Sequence, residues 1–154
     1  MELPKILKRL DAWKRILFIV LLILIFLAIM DILAIPLWNA EPSHPFFKFF
    51  WRFSLGTVLL IVFTYFLITK DISESLAILF IYEIFKWTGV EDLIFYLIKD
   101  QSIPQAMDHL FKHEVMGNVA QIMGQTTVTP ISLIVSVGIG LTISYFVVRR
   151  MVKI

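Results

Sequence analysis

The sequence predicts an all-α, polytopic membrane protein: four transmembrane helices, with an amphipathic helical segment between the third and the fourth. Three observations predict it. Apolar residues make up 59% of the 154 residues and charged residues 17%, where a soluble domain holds about 45–50% and about 25%. Mean hydropathy is +0.87, and the surplus lies in Leu, Ile and fourteen Phe, side chains suited to lipid contact. Four apolar runs, 16–38, 52–69, 72–99 and 130–148, match or approach the roughly 20 residues that cross the hydrocarbon layer. Together they make a single transmembrane domain. The chain has no cysteine, which excludes disulfides, thiol redox chemistry and thiolate metal centres. A net charge of +2 gives no footing for nucleic acid.

Residues 1–15, MELPKILKRLDAWKR, place Leu3, Ile6, Leu7, Leu10 and Trp13 at helical spacing. Such a segment lies along the interface, with Lys5, Lys8 and Arg9 toward anionic headgroups or simply fixing orientation. Run 16–38 is the first span. It is too long for a signal-peptide core, and Trp38 spoils a cleavage site at Ala40, so it is expected to stay uncleaved. Asp31 interrupts it fifteen residues after Ile16, about 22 Å along a helix, and Pro36 is expected to end or bend the helix. Residues 39–45, NAEPSHP, form a turn-rich loop that carries His44. Phe46 to Trp51 is an aromatic belt, and Arg52 opens the second span. Residues 70–75, KDISES, are a tight connection with Asp71 or Ser73 as helix cap, which makes spans two and three antiparallel neighbours.

The third span, 72–99, carries Glu83, Lys86, Glu91 and Asp92 inside a long hydrophobic helix. An ionisable side chain at the centre of a span costs roughly 2.5–3.5 kcal/mol on insertion scales, so intramembrane charge marks a functional site by default. A structural use competes with that reading. Glu83 and Lys86 stand at i,i+3 and can pair. Thr88 and Glu91 fit a capping box after a break at Gly89, with Glu91 and Asp92 at the positive end of a second half-helix. Asp31 can likewise reach for the interface.

Residues 100–129 are the one sizeable polar segment, an outer-face helical cap. Ser102, Pro104 and Gln105 read as a helix start. Ile103, Met107, Leu110 and Phe111 form an apolar stripe, and His109 and His113 stand at i,i+4. A second helical piece, 119–123, follows. The last span opens with Thr129 as N-cap and Pro130 at N1. Its Ser132, Ser136, Gly140 and Ser144 form a small-residue face, which packs against another span of this chain, a second copy of it, or a partner membrane subunit.

With the N-terminus inside, the cytoplasmic side holds Lys5, Lys8, Arg9, Lys14, Arg15, Lys70, Arg149, Arg150 and Lys153. The outside holds Lys48, Arg52, Lys99 and Lys112. That excess follows the positive-inside rule and places both termini in the cytoplasm. The three histidines then lie outside, and Asp31 and Glu91 fall at the same depth in the outer half of their spans.

Imidazole and carboxylate together suit a divalent metal such as Zn, Fe or Mn. His109, His113 and Glu114 are the candidate ligands. Asp31, Glu83, Glu91 and Asp92 are the candidate catalytic carboxylates, able to act as base toward a metal-bound water. The expected activity is metal-dependent chemistry on a lipid or other membrane-soluble substrate. The alternatives are a proton- or cation-coupled transporter acting as a dimer and a non-catalytic membrane subunit or scaffold. The stretch GVEDLIFYL, residues 89–97, resembles the acidic–aromatic motif of small membrane carotenoid cyclases. It lacks the proline before the acid pair, and no activity is carried over from it.

Overall fold

The computed structural model describes residues 11–40, 45–99, 103, 105–112 and 114–152. The described residues are all-helical, without a strand. Its elements are α1 (Ala12–Ala40), α2 (Pro45–Thr69), α3 (Ile72–Trp87), α4 (Val90–Ile98), α5 (Asp108–Phe111), α6 (Glu114–Ile122) and α7 (Pro130–Met151). Among the described residues the only extended pairing is an isolated antiparallel bridge between Met107 and Val128.

Contacts between helix ends give the arrangement. The start of α1, the end of α2 and the start of α3 meet through Arg15, Tyr65 and Glu74. The start of α1 also meets the end of α7, where the rings of Trp13 and Tyr145 stack edge-on at 5.7 Å. Consecutive long helices therefore run up and down, and α1 is antiparallel to α7. The core between them is a stripe from α1 (Ile16, Val20, Ile23, Leu24 and Leu27) against Ala77, Ile78, Ile81 and Phe85 of α3. A second, smaller core joins the cap to α7. There Met107, Leu110, Met116, Ala120 and Val128 bury against Leu133.

Local chemistry explains most of the boundaries. Asp71, extended in backbone, accepts the Glu74 N–H at 3.0 Å and starts α3. Thr129 and Ser132 cap each other reciprocally ahead of Pro130 at the start of α7. Lys70 takes the left-handed conformation, φ 57°, which lets only two residues join α2 to α3.

The third apolar run is two helices. α3 ends at Trp87, Thr88 and Gly89 turn, and α4 begins at Val90. Gly89 sits at φ 82°, a conformation that L side chains adopt only at a cost. A Cβ there would also lie 2.5 Å from Leu133 Cδ1 and from Met116 Sδ. The break is thus where the cap and α7 close on the third run. The expected Thr88–Glu91 capping box does not form: Gly89 is the N-cap and makes no side-chain cap bond. The Thr88 hydroxyl instead donates back to the Ile84 carbonyl at 2.8 Å.

Among the described residues, length and composition qualify two helices, not four, as able to cross a membrane. They are 12–34 at a mean hydropathy of 3.3 and 130–151 at 2.2, and the 55–69 part of α2 is apolar as well. The break at Gly89 is what shortens the third run. The first helix does not end at Pro36: α1 continues through it to Ala40. In the cap, Ile103, Gln105 and Ala106 are non-helical, and the Met107 N–H pairs with the Val128 carbonyl at 2.9 Å; Ser102 and Pro104, on which the expected helix start falls, lie outside the described residues.

Candidate functional site

Asp31 belongs to the inward stripe of α1. Leu27, Ala28 and Ala34 are buried, and position 31 lies one turn from each, so helical register turns it toward the bundle. Phe26, Ile29 and Leu33, on other faces, are exposed. α1 packs more extensively on α4 than on any other helix. That contact sets Asp31 against the first turn of α4, which carries Glu91 and Asp92.

The charges meet there. Asp31 lies in the field of Asp92 and Lys86. Glu91 lies in the field of Asp31, Asp92, Lys86 and Glu83. The Tyr82 hydroxyl feels Glu91, Glu83 and Asp31. Tyr82 is buried, and the three carboxylates are each partly buried. The Lys86 ammonium stands 6.0 Å from the centre of the Tyr82 ring. Glu83 accepts a hydrogen bond from the Trp87 indole at 3.3 Å, which anchors it along α3.

Asp31, Glu91, Asp92 and Glu83 therefore act on one another's charge across α1, α3 and α4, within reach of Lys86 and Tyr82. Among the described residues, no three His, Asp or Glu side chains form a set that could hold a metal ion. The candidate ligands on the cap lie outside the described residues: His113 altogether, and the side chains of His109 and Glu114. His44 and the Arg52 side chain also lie outside them.

The small-residue face of α7 is used inside the chain. Ser132, Ser136 and Ser144 are fully buried, and Gly140 lies so close to Thr88 of α3 that an added Cβ would sit 2.9 Å from Thr88 Cβ. That face is covered by α3 in the single chain, so it is not a free surface for a second copy.

A second polar cluster was not foreseen from the sequence. At the opposite end of the bundle the Arg15 Nε donates to the Tyr65 hydroxyl and to Glu74 Oε2, each at 3.0 Å. A second arginine nitrogen pairs with Glu74 Oε1, and the Tyr65 hydroxyl donates to Glu74 Oε2. The Glu74 side chain is 6% exposed and that of Arg15 17%. A carboxylate so buried needs these donors, so the triad ties three helices together. The signal was available: Arg15, Tyr65 and Glu74 border three apolar runs at one level of an up–down chain.

Between the two clusters the interior is apolar, filled by Ile23, Leu24, Ile78, Ile81 and Phe85. No protein-family model, curated protein or solved structure matches this chain.

Proposed function

We propose that this chain is a four-span integral membrane protein, both termini cytoplasmic, whose carboxylate centre moves protons on a membrane-soluble substrate. The membrane part is supported by the exterior. Leu22, Leu33, Leu60, Ile134 and Phe146 are each half or more exposed. Only 39% and 33% of the two longest apolar windows are buried inside the chain. A soluble protein buries its most apolar helices; a continuous apolar exterior belongs against lipid. The helices 45–69 and 72–98 complete the up–down path, and basic residues gather at the end shared by α1 and α7.

The observation that carries the activity is the meeting of Asp31 from α1 with Glu91 and Asp92 from α4. Carboxyl groups whose charges act on one another in a low-dielectric site titrate together. One can take a proton from a substrate carbon while another returns one elsewhere on the molecule. The net result is an isomerisation, with atoms and electrons conserved. Lys86 stabilises negative charge during the transfer, and Glu83, held by Trp87, positions the end of α3. The apolar plug between the clusters favours a one-sided site over a path through the bilayer.

The experiment is proton exchange. The protein in nanodiscs containing a total membrane lipid extract is incubated in heavy water, and the extract is surveyed by mass spectrometry for deuterium gained at carbon. Exchange into a lipid-soluble compound that is lost in Asp31→Asn and in Glu91→Gln is the expected result. No exchange, together with pH-driven flux in liposomes that those substitutions abolish, overturns the enzyme reading in favour of transport.

A further inference from the structure

A cleft at the opposite end of the bundle from the carboxylates has a composition of its own. Asp11 and Trp13 from the start of α1 line it with Tyr145, Val148 and Arg149 from the end of α7, around a volume of about 380 Å³. That lies near the lower end of small-molecule sites, about 300–1,000 Å³, and suits a headgroup rather than a whole lipid. The Trp13 and Tyr145 rings stand 5.7 Å apart at 89°. Both residues line the cleft, and an aromatic face at its wall attracts an ammonium group. Asp11 adds negative charge on the same side. Its carboxylate already meets the Lys14 ammonium at 3.0 Å and the Lys14 N–H at 2.9 Å, and a carboxylate has lone pairs for a further donor. Arg149, at the C-terminal end of α7, supplies the cation that suits a phosphate.

We infer that this cleft binds the zwitterionic headgroup of an aminophospholipid. The amine lies against the aromatic wall that Trp13 and Tyr145 form, beside Asp11, and the phosphate lies on Arg149. The inference rests on the bilayer reading above, because it sets the cleft at the level of the cytoplasmic headgroups. It is independent of the proton chemistry.

The test reconstitutes the full chain into nanodiscs holding equal parts phosphatidylethanolamine and phosphatidylglycerol, then releases it for native mass spectrometry. Retention of phosphatidylethanolamine by about threefold to tenfold over phosphatidylglycerol is expected, the range that one aromatic contact plus one charge contact supplies. Tyr145→Leu and Asp11→Asn each erase the preference, while Tyr145→Phe, which keeps the ring, retains it. Arg149→Gln lowers retention of both lipids. Equal or greater retention of phosphatidylglycerol overturns the inference, as does a preference that survives Tyr145→Leu and Asp11→Asn together. A chain that fails to enter nanodiscs overturns the bilayer reading beneath it, and that outcome is distinct from entry without preference.

Discussion

Gly140→Ala is the substitution whose cost the structure sets most closely. An added Cβ would lie 2.9 Å from Thr88 Cβ and 3.0 Å from Thr88 Cγ2, and closer still to Thr88 Oγ1. Non-bonded carbons rest at about 3.5–4.0 Å, so α3 and α7 must part locally by roughly 1 Å, a gap that forfeits a quarter to a half of each neighbouring contact. Thr88 cannot simply turn away, because its hydroxyl donates to the Ile84 carbonyl at 2.8 Å. Overpacking of this kind costs about 1–3 kcal/mol. Alanine returns about 0.5–1 kcal/mol through helix propensity, so the net loss is up to about 2.5 kcal/mol. The assay is thermal unfolding in one detergent, where that loss lowers the midpoint by up to about 10 °C. Gly138→Ala is the control: nothing lies within 4 Å of its would-be Cβ, so only the propensity gain of about 0.5–1 kcal/mol acts there. In a Thr88→Ala background, which removes two of the three clashing atoms, the Gly140→Ala loss shrinks by about 1 kcal/mol. Equal midpoints for Gly138→Ala and Gly140→Ala would refute the close α3–α7 packing.

Other perturbations have equally definite outcomes. Glu74→Ala removes the carboxylate that Arg15 and Tyr65 share and is expected to cost up to about 3–5 kcal/mol, less whatever water and the other contacts of Arg15 recover. The double change Arg15→Leu with Glu74→Leu is milder than Glu74→Ala alone, and the same unfolding assay separates the two. Lys70→Gly relieves a left-handed lysine and raises stability by up to about 1 kcal/mol. Chelation before the heavy-water assay leaves exchange unchanged if the carboxylates act alone. Loss on chelation, restored by Zn, Mn or Fe, would instead assign the chemistry to His109, His113 and Glu114.

Much of the fold was legible because it follows from local signals. Asp71, Thr129 and Pro130 start helices for reasons contained within four residues, and both starts stand as read. The break at Gly89 was legible as a break. Its partners were not, since Leu133 and Met116 approach it from distant parts of the chain. Pro36 does not end the helix: α1 runs on past it. The pairing of Met107 with Val128 is non-local, and no signal within the cap announces it. Among the site residues, the inward aim of Asp31 could be read from the stripe that precedes it. Tyr82 went unremarked because an aromatic within an apolar run carries no mark of its own. Arg15 was counted only among the cytoplasmic basic residues, and the helix ends packed together reveal its pairing with Glu74.

The central claim, that residues of α1 and α4 face one another in a single site, is tested most directly by paired thiols. The chain has no cysteine of its own, so two introduced thiols report without background. Asp31→Cys with Asp92→Cys, treated in membranes with a short bifunctional thiol reagent, is predicted to form an intramolecular cross-link. Asp31→Cys with Glu74→Cys, at opposite ends of the bundle, is predicted to form none. Absence of the first link, or equal yield from both pairs, would contradict the account.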